Sequence, residues 1–171
     1  MMTLTANLTP GLTLDPTRDL ELNRTLTAPP ATVWRCWTEP ALLCQWFCPK
    51  PWYVSQAVLD PRPGGRFFTL MNGPDGEAVP NDGSYLVVDA PHLLVFTDIF
   101  AADYAPVATP ASGAGLNFVA IVTFTANGSG THYRAVVRHR NAANAETHRQ
   151  MGFHDGWGAA ATQLDALSRT L

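Results

Sequence analysis

The stretch "FTANGSGTHYRAVVRH", residues 124–139, decides the fold. Two runs with the period of a strand flank Asn127-Gly128-Ser129-Gly130, and glycine and asparagine accept the positive φ that a tight hairpin turn requires. Residues 117–125 and 131–139 are therefore expected to pair as antiparallel strands. Working back towards the N-terminus, the same period of two recurs at 52–60, 66–72, 83–89 and 93–100. Turn chemistry separates these runs: "PRPGG" at 61–65, "NGPDG" at 72–76 and "DAP" at 89–91. The connection "AADYAPVATPASGAG", 101–115, is too long for an ordinary hairpin loop and reads as a lid.

Towards the C-terminus the turn residues stop after residue 143. A long helix is expected over 144–170, with Phe153, Trp157, Ala160, Leu164, Leu167 and Leu171 on one stripe. At the N-terminal end, "DLELNRTL" (19–26) has the alternation of a half-buried strand, and "APP" ends it. Pro30 opens a short helix carrying Val33, Trp34 and Trp37 on one face. Thr38-Glu39-Pro40 stops that helix and starts a second, which runs to Pro49. Residues 1–18 lack periodicity and read as a loosely ordered extension, leaving 19–171 as a single domain. The order strand, two short helices, six strands, long helix predicts an α+β helix-grip fold, a curved seven-stranded antiparallel sheet around the C-terminal helix.

Composition narrows the function. With 46% hydrophobic and 15% charged residues the chain can build a generous apolar core or cavity. The 11 Lys and Arg against 14 Asp and Glu, a net charge of -3, give no footprint for a phosphate backbone, so nucleic acid is excluded as an expected partner. The beginning has neither a basic nor an apolar signal region, and no run has the length of a membrane span, so a cytoplasmic protein without membrane association is expected. Cys36, Cys44 and Cys48 are odd in number and no histidine lies within thirty residues of them, which points to reduced thiols without metal. No Gly-x-Ser-x-Gly elbow, Walker-type phosphate loop or Gly-x-Gly-x-x-Gly fingerprint occurs, so no catalytic residue and no cofactor is assigned.

Five segments carry a resemblance: "APPATVWRCWTEPALLCQWFCP" (28–49), "LDPRPGGRF" (59–67), "PNDGSYLVVDAPHLLVFTD" (80–98), "VTFTANGSGT" (122–131) and "MGFHDGW" (151–157). In their order and spacing the chain resembles the START/Bet v 1-like (SRPBCC) superfamily. Within it, the chain is similar to the proteins that look like the C-terminal domain of the activator of the heat-shock-protein-90 ATPase. Phe47 and Cys48 stand where that family usually carries a second tryptophan and a glycine. The resemblance implies a cavity between long helix and sheet but no single chemistry, because relatives include ligand carriers, cyclase-like enzymes and co-chaperone domains. A chaperone partner enters by this analogy alone, while the oligomeric state is left open, a homodimer included.

In "HLLVFTDIF" (92–100) the alternation sets Leu94, Phe96, Asp98 and Phe100 on one face. The family's habit of a charged residue at Leu93 implies that this face is the concave one, so Asp98 is expected to look into the cavity. There desolvation would disfavour its ionised form, unless a turn or a rim Arg or Tyr satisfies it. By the same alternation Phe67, Tyr85 and Tyr133 are expected to face inward, with Trp46, Phe47 and Trp52 walling one end and Phe153 and Trp157 on the helix stripe. His154 and Asp155 are adjacent on a helix, hence about 100° apart, and form no dyad. His154 is retained as a boundary polar group of the cavity. Gly152 and Gly156 remove bulk beside Phe153 and Trp157, either for close helix–sheet contact or to leave room for a ligand.

The expected function is binding of a small apolar or aromatic molecule. The alternatives are a cyclase- or lyase-like enzyme moving a proton through Asp98 or His154, which Asp98→Asn would silence, and a chaperone-ATPase-modulating interaction domain.

Overall fold

A computed structural model of the chain describes residues 12–107 and 116–171. Seven strands form one sheet: β1 (Asp19–Leu26), β2 (Tyr53–Leu59), β3 (Arg66–Asn72), β4 (Ala78–Asp89), β5 (Leu93–Thr97), β6 (Phe118–Asn127) and β7 (Gly130–His139). Their spatial order is β1-β7-β6-β5-β4-β3-β2, and every neighbouring pair is antiparallel. Consecutive strands from β2 to β7 are neighbours in the sheet. β1 closes the far edge against β7, with Asp19 opposite Arg138 and Leu26 opposite Thr131.

The hairpin of residues 124–139 forms as its turn residues require. Asn127 pairs with Gly130, and Gly128 takes φ 58 at the first central position of the two-residue turn. Register shifts between Val54 and Gln56 and between Tyr85 and Val87 mark bulges, which increase local twist and help the sheet curve. β4 starts at Ala78, earlier than the 83 its pattern suggests. Pro80 sits opposite Leu70 of β3, while β5 pairs with β4 only from Ser84 on, so the proline's missing N–H faces no second strand.

α1 (Pro30–Thr38) and α2 (Pro40–Leu43) follow β1, each with proline at its start. The C-terminal helix differs from the single run over 144–170 that its pattern suggests. It is two helices, α3 (Ala142–Gln150) and α4 (Phe153–Ser168). Gly152 stands between them at φ 89, ψ 41, the left-handed conformation that closes a helix. The apolar stripe alone cannot distinguish a glycine tolerated inside a helix from one that ends it.

The break resets the phase. A continuous helix would place Arg149 and Gln150, four and three residues before Phe153, beneath the stripe; instead both are exposed, and Ala145 and His148 are buried. Leu171, placed on the stripe by periodicity, lies beyond the end of α4 and is exposed.

The core lies on the face of the sheet that α1 and α4 cover. Leu164, Ala161 and Phe153 of α4 join Val33 and Trp37 of α1 and Leu94, Val122, Phe124 and Ala135 of the sheet. Residues 12–18 are tied to the sheet edge, with the Thr13 carbonyl accepting from Arg138 Nη2 at 2.9 Å and the Asp19 carboxylate accepting from the Asp15 N–H at 2.8 Å. The rest of the extension and most of the 101–115 connection, including its reading as a lid, lie outside the described residues.

Candidate functional site

Between α4 and the sheet the packing leaves a cavity of about 500 Å³. Its walls are built by three local decisions of the sequence. α2 and the turns after it bring Trp46, Phe47, Cys48, Pro49 and Trp52 to one end. Strand alternation turns Phe67, Phe96 and Tyr133 inward from β3, β5 and β7. α4 contributes Phe153, Gly156, Trp157 and Ala160, spaced three and four apart along one face.

The aromatic walls are in mutual contact. Phe67 and Phe96 stack at 4.3 Å between ring centres with 10° between planes, and Phe47 meets Phe67 at 5.6 Å. Trp37 and Trp46 meet edge to face at 5.0 Å, and Phe153 and Trp157 lie 5.2 Å apart. The Trp46 indole donates to the Cys36 carbonyl at 2.9 Å, which fixes that ring. At the mouth Asp82 is clamped by Arg66 in a two-pronged pair of 2.9 and 2.6 Å.

Polar groups are few. Asp98 lines the cavity and is 5% exposed. Its carboxylate accepts from the backbone N–H groups of Phe118 at 2.8 Å and Asn117 at 3.2 Å. Asn117 adopts φ 50, so these consecutive amides belong to the turn that leads into β6. Asp98 thus does reach the concave side, and it also organises a turn. Tyr133 is 1% exposed, and burial raises its phenol. The Trp37 indole is close enough to oppose that shift slightly, but the geometry makes no hydrogen bond, and Trp37 Nε1 is buried without a partner.

Two histidines escaped the sequence reading. His139 ends β7 on the same face as Tyr133, and His148 comes from α3; they are 2% and 8% exposed. His139 Nε2 and His148 Nδ1 are 2.9 Å apart, and His139 Nδ1 is 3.0 Å from the Arg18 carbonyl. Burial holds the His148 imidazole down at about 4, with its neighbour His139 adding to the effect. Burial likewise lowers His139, against the opposite pull of the Arg18 carbonyl, Asp98 and Asp19. Period-two alternation from Tyr133 reaches His139, so that residue was legible. His148 was not, because a helix assumed continuous through Gly152 points it elsewhere.

Of the residues assigned to the site from sequence, Trp46, Phe47, Trp52, Phe67, Phe96, Asp98, Tyr133, Phe153 and Trp157 lie together around the cavity. Three do not. Tyr85 is fully buried in the core against Phe67, at 5.5 Å, with its hydroxyl unpartnered. Phe100 lies past the end of β5 and bridges to Pro106, because the chain leaves the strand after Thr97 and alternation no longer applies. His154 is exposed beside Asp155 in the first turn of α4, since starting that helix at Phe153 points its second residue outward. The acid–base role considered for His154 in the cavity therefore has no geometric basis.

The glycines of 151–158 separate into different tasks. Gly152 makes the turn. At Gly156 an added Cβ meets nothing nearer than Pro49 Cγ at 3.8 Å, so this residue leaves room at the cavity wall rather than permitting close contact. The cysteines are unpaired thiols, and burial pushes Cys36 and Cys48 up to about 11. Among the described residues no group of three or more His, Cys, Asp or Glu side chains is arranged to hold a metal, and no helix is long and apolar enough to cross a membrane.

Solved structures share this architecture. A Nitrosomonas europaea protein is 38% identical, with 92% of this chain and 97% of that one aligned at a TM-score of 0.86. A Mycobacterium smegmatis protein is 28% identical, over 89% and 91%, with a TM-score of 0.72. A protein from Aeromonas hydrophila, described as AHSA1-like, is 18% identical over 89% and 92% with a TM-score of 0.67, and shows the fold alone. No curated protein matches the chain. The family model described as "Activator of Hsp90 ATPase homolog 1-like protein" matches residues 27–169. That span holds both short helices, the sheet from β2 to β7 and both C-terminal helices, and the chain belongs to this family.

Proposed function

We propose that the chain is a binding domain for a small apolar or aromatic molecule held between α4 and the sheet. One observation carries this reading, the cavity of about 500 Å³ with walls largely of aromatic side chains. That volume lies within the range of small-molecule sites, which combine apolar walls with a small number of placed polar groups. A flat ring is the occupant these walls suit best, because stacked and edge-on contacts with Phe67, Phe96 and Trp157 use the ring quadrupoles. The protein acts in the cytoplasm and performs no chemistry of its own in this reading. The Asp98 carboxylate is occupied by backbone donors, so a proton-transfer role gains no support from its geometry.

Native mass spectrometry of freshly purified protein, with a titration of 1-anilinonaphthalene-8-sulfonate, tests the proposal. A small molecule of defined mass bound one to one, or saturable binding of the fluorophore competed by aromatic hydrocarbons, is the expected result. A bare polypeptide mass together with no saturable binding overturns it.

A further inference from the structure

We propose that His148 Nε2 is a fixed hydrogen-bond acceptor in the cavity, and that it selects aromatic ligands bearing an O–H donor, phenols in particular. The inference rests on the cavity being a ligand site. It begins outside the cavity, at the Arg18 carbonyl. A carbonyl oxygen only accepts, so His139 Nδ1, 3.0 Å away, carries a proton and donates. The His139 ring is neutral, which leaves its Nε2 as a lone pair. The nitrogen facing it at 2.9 Å, His148 Nδ1, must then carry the proton between them. His148 is neutral too, so its Nε2 is unprotonated.

The direction of every hydrogen bond in this row is thus set by one backbone oxygen, and the row ends on a lone pair. His148 lines the cavity, and its Nε2 has no hydrogen-bond partner among the described residues. Nor is it one of the occluded orphan atoms, which are Trp37 Nε1 and Tyr85 Oη. Phe153 and Phe118 pack against the ring at 5.0 and 6.3 Å and hold its plane. An apolar ligand covering this nitrogen would strip it of water and return nothing, whereas a hydroxyl would pair with it. Sites built around a polar group discriminate against analogues that lack the matching one. His139 is a positioning residue in this scheme, since it acts only by orienting His148.

The full-length protein is titrated with 2-naphthol and with 2-methylnaphthalene, which have the same rings and differ by hydroxyl against methyl. Partition from water alone favours the methyl compound. The expected result is binding of both, with 2-naphthol at least tenfold tighter, and loss of that preference in His148→Phe without loss of 2-methylnaphthalene binding. In His139→Phe the preference is expected to shrink as the His148 ring loses its orientation. Long-range ¹H–¹⁵N correlation spectra of the unaltered protein at pH 7 are expected to show both rings protonated at Nδ1, a readout that does not depend on any variant folding. Equal affinities, a preference for the methyl compound, a preference that survives His148→Phe, or an Nε2-protonated His148 each overturns the proposal and leaves the cavity reading intact. Binding of neither compound overturns the cavity reading and this proposal with it.

Discussion

At Gly152 and Gly156, four residues apart in one motif, the same residue type answers to two different constraints, and substitution separates them. Gly152 holds φ 89 with nothing within 4 Å of an added Cβ, so Gly152→Ala meets no clash and its whole cost is backbone strain. A loss of about 1–2 kcal/mol in urea unfolding is expected, with fluorophore affinity little changed. Gly156 has ordinary helical geometry, and an added Cβ meets only Pro49 Cγ, at the ordinary contact distance of 3.8 Å. Gly156→Leu should therefore gain close to 1 kcal/mol of helix propensity while its side chain occupies the ligand's volume. The expected pattern is an unchanged or raised melting temperature with fluorophore binding weakened at least tenfold. A Gly156→Leu protein that melts far lower would show the position to be packed tight, and one that binds undiminished would show that the cavity is not where the fluorophore sits.

At the scale of the element, the break between α3 and α4 carries His148 inward and so couples stability to pH. Burial depresses both imidazoles below the ordinary value of 6.5, His148 to about 4. A group whose folded value is depressed stabilises the fold above its unfolded value, and that contribution is lost as pH falls towards the folded value. Between pH 6.5 and about 4.5 the unfolded chain takes up a proton that native His148 refuses, so stability should fall by roughly 2 kcal/mol over that interval, with the lowered His139 adding in the same direction. The lowered carboxylates Asp19 and Glu21, paired with Arg138 and Arg134, act in a separate window: their unfolded values lie near 4, and their contributions fade only below it. Urea midpoints measured from pH 7 to 4.5 should slope downward in the unaltered protein and more weakly in His148→Phe. Matching slopes would place the proton uptake on other groups. This element is also where reading the sequence reached its limit. Strands announce themselves by alternation and turn residues, and 124–139 specified both partners and turn of its hairpin. The inward face of β3, β5 and β7 follows from the same period, and Phe67, Phe96 and Tyr133, expected to face inward, line the cavity. Helix phase is carried only by continuity, and one left-handed glycine breaks it, so that the stripe from Phe153 onward says nothing of which face of α3 is buried.

In the whole molecule, the helix that covers the sheet must also hold the far wall of the cavity, because α2 and the segment after it have little regular structure of their own. Gln163 makes that connection from the middle of α4. Its Nε2 donates to the carbonyls of Trp46 at 2.9 Å and Cys48 at 2.8 Å, and its Oε1 accepts from the Lys50 N–H at 3.2 Å. One amide side chain thus fixes the backbone that presents Trp46, Phe47 and Cys48 to the ligand space, a link between residues more than a hundred positions apart that no local pattern reveals. Gln163→Met keeps the length and apolar volume and removes all three bonds. Net hydrogen-bond values of about 0.5–1.5 kcal/mol each, reduced for partial exposure, give an expected destabilisation of about 1–2 kcal/mol. If the wall depends on this staple, fluorophore affinity should fall several-fold as well, since the aromatic contacts would no longer be preorganised. The two losses are separable by titrating well below the melting temperature, where nearly all of the variant is folded. Reduced stability with undiminished affinity would mean that the wall holds its shape through the packing of Trp37, Trp46 and Phe47 alone, and that Gln163 serves the fold without serving the site.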